Sequence, residues 1–215
     1  MNLYLRLFWV YLRARFQPPL NMLDPGELEL RVLPNDLDLN RHMNNGRFMT
    51  ILDLAIVHLL VRTRFMGVVR HLGGHIIEGG ALISFRQSLT PFAKYRLQLR
   101  YLGCNAHWHV FAFAFLNDKG AVAARGLVKG GAARKGRGLL TAARIWREFE
   151  RMYGEQVVPP PLPAYAREWL ELEATVNQIP YDRSDSDLVP LIDPTVSSVG
   201  AASAAMGSWS DANRG

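Results

Sequence analysis

Between residues 47 and about 66 the apolar side chains Phe48, Ile51, Leu52, Ala55, Ile56, Leu59 and Leu60 recur at intervals of three and four. At 3.6 residues per turn this spacing predicts a helix of about five turns with one wide apolar face. So much Leu and Ile asks for cover on most sides of the helix. Gly67 closes the helix. His58 falls outside the main stripe and reads as a surface or edge residue. Residues 27–33 alternate charged and apolar side chains as a first strand, ended by Pro34. After Gly73-Gly74, residues 81–89, 95–102, 108–116 and 121–130 read as strands, parted by turn signals at Pro91-Phe92 and Asp118-Lys119-Gly120. One strand, a loop, a long helix and then several antiparallel strands is an α+β pattern.

The chemistry is concentrated in the loop before that helix, Asp36-Leu-Asp-Leu-Asn-Arg-His-Met-Asn-Asn-Gly-Arg-Phe48. Asp38, Asn40 and His42 lie two residues apart, so an extended backbone would project all three to one side. A carboxylate, an amide and an imidazole at a helix mouth can activate a nucleophile and hold an oxyanion. The plainer alternative is a polar turn that caps the helix, with Asn44 or Asn45 as N-cap.

This run resembles the signature of the hotdog-fold thioesterases: an Asp-x-Asp, a His, an Asn-Asn pair and an aromatic at the start of the central helix. It is similar to the plant acyl-carrier-protein thioesterases, whose Asp-x-Asn-x-His pattern Asp38, Asn40 and His42 match. It also resembles the thioesterase superfamily member 6 family and its bacterial relatives. In the 4-hydroxybenzoyl-CoA thioesterase branch the catalytic carboxylate falls on Asp38. The resemblance covers about residues 27–137 and implies a hotdog fold, a curved antiparallel sheet wrapped around the helix. It further implies a homodimer with sites built between subunits, and acyl-CoA or acyl-carrier-protein as substrate. Catalytic roles fall on Asp38, Asn40, His42 and Asn45. Asp38 would activate water or attack the carbonyl, Asn40 and His42 would orient water or hold the oxyanion, and Asn45 would polarise the carbonyl. Asn44, Gly46, Arg47 and Phe48 are expected to line the substrate. A later run of the plant enzymes, carrying Glu and Cys, is best matched by Phe85-Arg86-Gln87-Ser88, where Gln and Ser replace the acid and the thiol. Gln cannot act as a base, so a non-catalytic protein that binds an acyl thioester or fatty acid stands as the alternative. Arg86, Gln87 and Ser88 remain candidate substrate contacts.

Of the 25 Lys and Arg residues 22 lie in residues 1–154, against 10 of the 19 Asp and Glu. A basic body favours anionic partners such as a coenzyme A ester. Lys129, Arg134, Lys135 and Arg137, in a small-residue stretch from 130 to 138 that reads as a linker, are candidates for its phosphates. No nucleic-acid motif accompanies the charge. One cysteine, Cys104, permits no internal disulfide and reads as structural, in a reducing cytoplasmic setting. Glu78 is a candidate to substitute for the missing acid, though its position before Gly79-Gly80 reads as a turn; His107 and His109 flank Trp108 on one strand but lack a third ligand, so neither metal nor cofactor is expected.

Residues 1–20 form an N-terminal amphipathic helix rich in aromatics, with Arg6, Arg13 and Arg15. Two readings stand: a segment lying in a membrane interface through residues 1–16, at the inner face, or a helix packed on the protein. The hotdog domain is expected at 24–137 and a C-terminal helical extension at 138–178. The Ser-, Ala- and Gly-rich stretch 179–215 reads as a disordered tail.

Overall fold

The structure, a computed structural model, describes residues 3–178; the expected tail lies outside them. The order of elements is α1 (Leu3–Phe16), β1 (Gly26–Arg31), α2 (Asn45–Arg62), α3 (Phe65–His71), β2 (His75–Phe85), β3 (Lys94–Cys104), β4 (His109–Asn117), β5 (Val122–Arg134), β6 (Gly138–Leu139), α4 (Ala142–Tyr153) and α5 (Ala164–Val176). They belong to one compact unit, Met1–Glu171, except for the end of α5 from Leu172. The antiparallel sheet runs β1-β3-β4-β5-β2, with β6 added on β5. It curls around α2 as a hotdog fold. Alternation aims Tyr101, Phe111, Phe113 and Phe115 at the helix, where they meet Ile51, Leu52, Ala55 and Leu59 in one buried core.

The long helix is shorter than its periodicity suggests. Arg64 takes a left-handed conformation (φ 63°) and breaks the chain into α2 and α3, which preserves the apolar stripe while turning the backbone. His58 is not a surface residue: it is buried on α2 with its Nε2 2.8 Å from Gln17 Oε1 at the end of α1. Residues 130–138 are not a linker. β5 continues to Arg134 and turns through Lys135 and Arg137 into β6, its backbone bonds satisfied as a hairpin.

α1 packs on α2 through Val10 and Ala14, with Leu3 and Leu7 at the edge. Arg6, which the sequence places with the interfacial cations, is instead 4% exposed and ion-paired to Asp36, itself 1% exposed. Its Nη1 donates to Oδ1 at 3.0 Å and Oδ2 at 2.8 Å, and Asp36 Oδ2 also accepts from Leu33 N at 2.9 Å. The opposite face of α1 carries Tyr4, Phe8, Trp9 and Phe16, all exposed. Both expectations for this helix therefore have a face: one packed, one aromatic and open. No helix among the described residues is long and apolar enough to cross a membrane.

Candidate functional site

The Asp36–Phe48 loop is not extended. Leu37 and Met43 form an isolated antiparallel bridge, and between them the chain makes a tight turn with Arg41 at φ 58°. Asp38 N donates to His42 O at 2.8 Å, while Asp38 Oδ1 accepts from Asn40 N at 2.8 Å and His42 N at 3.2 Å. The Asp side chain thus organises its own turn, which local competition between Asp and the backbone favours. Asp38 and His42 are half-buried and Asn40 is exposed. The two-residue spacing by itself therefore implies no common face here, because that inference needs a pleated backbone.

Asn44 is the N-cap of α2, its Oδ1 accepting from Gly46 N at 2.8 Å. Asn45 and Gly46 stand exposed at the helix N-terminus, where the dipole favours negative charge. Arg47 clamps the loop: its Nε and Nη2 donate to Asn35 O at 3.2 and 2.9 Å. Phe48 is buried edge-on to Phe85 and Phe115, with ring centroids 5.3 and 4.8 Å away. The first contact carries the chain after β2 to the helix mouth, and Met43 N donates to Leu89 O at 2.9 Å. Arg86, Gln87 and Ser88 are thereby brought beside the motif loop, exposed, with Gln87 Oε1 accepting from Asn117 Nδ2 at 3.3 Å.

The other basic candidates are not brought there. Phe85 pairs with Ala124 and His75 with Ala133, so Arg134 lies ten residues along β5 from the Phe85 end, about 33 Å away at strand rise. Lys129 is buried with its Nζ 4.7 Å from the Trp108 ring centroid. Gly79 makes room for that ring, since a Cβ there would sit 2.5 Å from it.

A cavity of about 250 Å³ lies between α2, α3 and the β2 side of the sheet. Ile56, Val57, Leu60, Phe65, Ile76 and Phe111 make its wall apolar. Two carboxyl groups also line it, Asp53 from α2 and Glu78 from β2, hydrogen-bonded to each other. Glu78 is no turn residue: it sits in β2 at a bulge, where the register shifts between Glu78 and Gly80, and bulges re-aim side chains. Burial, then the neighbouring Asp53 charge and hydrogen bond, pushes Glu78 up to about 7. Burial also raises Asp53, in part offset by the Glu78 hydrogen bond. Both side chains stay accessible to solvent.

His109 lines the same cavity, 2% exposed, its Nδ1 3.2 Å from Tyr101 Oη. Burial holds it down to about 4, hence neutral. His107 stands apart from it, with Nδ1 3.3 Å from Leu140 O, and no group of metal-ligating side chains exists among the described residues. The motifs give no sign of Asp53 and make Glu78 a turn residue. One signal was available: Asp53 is the lone acid of α2, and Glu78 the lone acid of β2.

A family model described as the thioesterase-like superfamily matches residues 32–170. Protein THEM6 of Xenopus laevis is 31% identical over 100 residues, 46% of this chain and 48% of that protein. The chain spans about half the length of the curated relatives it matches. Among solved structures, YbaW Probable Thioesterase from Escherichia coli is similar with a TM-score of 0.52 and 16% identity, over 59% of this chain and 98% of that one. A protein of Staphylococcus aureus solved in complex with CoA is similar with a TM-score of 0.50 and 12% identity, over 68% and 94%.

Proposed function

Since the chain belongs to the thioesterase-like superfamily, we propose that it hydrolyses acyl thioesters of coenzyme A or an acyl carrier protein at the junction of the motif loop and α2. The observation that carries this reading is the exposed α2 N-terminus at Asn45 and Gly46, held against a loop that Asp38, Asn44 and Arg47 stiffen. With the Gly46 N–H committed to the Asn44 cap, the donor at this helix end is the Asn45 N–H, and a donor already in place stabilises a developing oxyanion without reorganising. Asp38 is the carboxylate at this carbonyl, with His42, Asn40 and Asn45 around it. The apolar cavity takes the acyl group; a cavity of about 150 Å³ holds benzene, so this one accommodates more than a single ring.

The cavity mouth and the loop do not meet within one chain. Asp53 follows Asn45 by eight residues, about 12 Å along α2. β2 is an edge strand, and the proposed homodimer pairs two β2 strands antiparallel about a twofold axis. Such pairing sets the Phe85 end of one copy against the His75 end of the other. The cavity and Arg134, Lys135 and Arg137 of one copy then approach the loop of its partner, where Arg47 and Arg86 lie, and these cations meet the coenzyme phosphates.

Thiol release from a panel of acyl-CoA esters tests the reading. Asp38→Asn is expected to lower turnover at least about a hundredfold, as loss of a catalytic acid–base group does, with circular dichroism unchanged. Unaltered release by this variant removes Asp38 from the reaction. A second reading, a non-catalytic acyl-thioester binder, is favoured by Gln87 and Ser88, which bring neither acid nor thiol beside the loop. Saturable binding with no release by the unmodified chain would establish it.

A further inference from the structure

Asp53 and Glu78 are the unused chemistry of this fold. They come from opposite walls, helix α2 and the bulge of β2, and meet over an apolar cavity. Both remain open to solvent, yet their backbones are fixed, one by a helix and the other by a strand, and the two carboxyl groups stay hydrogen-bonded to each other. A third group at the wall points to an occupant. His109 is 2% exposed and its Nε2 finds no hydrogen-bond partner among the described residues, while Nδ1 is committed to Tyr101. A buried polar nitrogen without a partner costs about 1–3 kcal/mol, a cost that a polar atom of a bound molecule would relieve.

We propose that Asp53 and Glu78 are the proton-transfer pair of the reaction, acting on a thioester whose acyl group fills the cavity and reaches His109. This rests on the thioester-hydrolase reading above. With Asp38 as nucleophile, two proton transfers need carriers. As the carbon–sulfur bond breaks, Glu78 gives its proton to the departing sulfur, which leaves as the thiol. Water then bonds through oxygen to the acyl carbon, the bond to Asp38 breaks, and Asp53 takes the water proton. That proton crosses the Asp53–Glu78 hydrogen bond and resets the pair. One thioester and one water become one carboxylic acid and one thiol.

The titratable groups facing the cavity are Asp53 from α2, Glu78 from β2, His109 from β4 and Lys129 from β5; α3 contributes Phe65. His109 is neutral from weakly acid pH upward because burial holds it near 4. Glu78, pushed to about 7 by burial and by Asp53, is the group that sheds a proton around neutrality. A rate that needs Asp53 ionised and Glu78 protonated falls above about pH 7.

The test compares the unmodified chain, Asp53→Asn, Glu78→Gln and Asp38→Asn across pH 5 to 9, reading thiol release and thermal midpoint. Asp53→Asn is expected to lose at least about a hundredfold, and Glu78→Gln at least tenfold, the usual range for a lost acid or base. Glu78→Gln also loses the fall above pH 7, which the residual activity of Asp38→Asn retains. Independently of activity, folding resists the Glu78 charge. Glu78→Gln therefore raises the thermal midpoint at pH 8, and the gain fades as pH drops through 7 toward the ordinary carboxylate range. Release by the unmodified chain with unaltered rate and profile in both pair variants overturns this proposal alone. A midpoint gain equal at pH 5 and pH 8 overturns it whatever the rates. No release by the unmodified chain at any pH overturns the hydrolase reading and the role of the pair with it.

Discussion

Asp36 and Asp38 stand two residues apart in one motif and do opposite work. Asp38 accepts two backbone N–H groups of its own turn and stays half-exposed at the helix mouth. Asp36 is fully enclosed and satisfied by Arg6 and by Leu33 N. A buried ion pair contributes little net stability because desolvation offsets attraction, yet breaking one by removing a single partner leaves an uncompensated charge. Asp36→Asn is accordingly expected to cost about 3–5 kcal/mol, read as a lowered urea midpoint with unchanged slope. Replacing Arg6 and Asp36 together by Met and Leu should recover most of that loss. A single-variant loss below about 1 kcal/mol, the value typical of an exposed pair, would show that the ion pair does not hold the loop.

Among the elements, α1 has two duties on two faces. The inner one carries Val10, Ala14 and the Arg6 guanidinium onto α2 and the motif loop. On the outer one Phe8 and Trp9 are 58% and 61% exposed, with Arg13 and Arg15 in the last turn. Aromatic rings and basic side chains at one helix surface suit the interface of an anionic bilayer. Deleting the helix cannot test this, since deletion strands Asp36. Replacing Phe8 and Trp9 by Ser leaves the packed face intact. We expect co-sedimentation of the unmodified chain with anionic vesicles, weakened by salt as screening requires, and several-fold less for the double variant. Equal sedimentation of both forms would confine α1 to its packing role.

For the whole molecule the question is which copy completes which site. Within one chain the loop and the carboxyl pair lie along α2 at a separation that no single carbonyl spans, because reacting atoms must approach to about 3–3.5 Å. In the proposed homodimer, antiparallel pairing of two β2 edges would set one copy's loop against the other's cavity. Mixing Asp38→Asn with Asp53→Asn then makes heterodimers in which one site carries both lesions and the other neither. Refolding the two inactive variants together is expected to restore about a quarter of the unmodified activity: half of the dimers form as heterodimers by random pairing of copies, each with one intact site. A mixture as inactive as its components would mean that each subunit holds its own loop and pair in one site.

Periodicity and motif made much of this legible without coordinates. The 3.6-residue stripe of α2, the alternation of the strands and the turn residues between them are local patterns, and local sterics alone write them. They suffice for an α+β pattern and for a cap at Asn44 or Asn45, while the hotdog fold is implied by the resemblance of the motif loop. What local pattern cannot carry is the partner a polar residue meets after the chain has folded back on itself. Arg6 and Asp36 are thirty positions apart, and only the seating of α1 on α2 joins them. Asp53 and Glu78 belong to different elements, and only the folding of the sheet beside α2 brings them to one cavity. Charge state follows the same division. Sequence lists the carboxyl groups, whereas burial and proximity, which are properties of tertiary structure, decide which of them keeps its proton near neutrality.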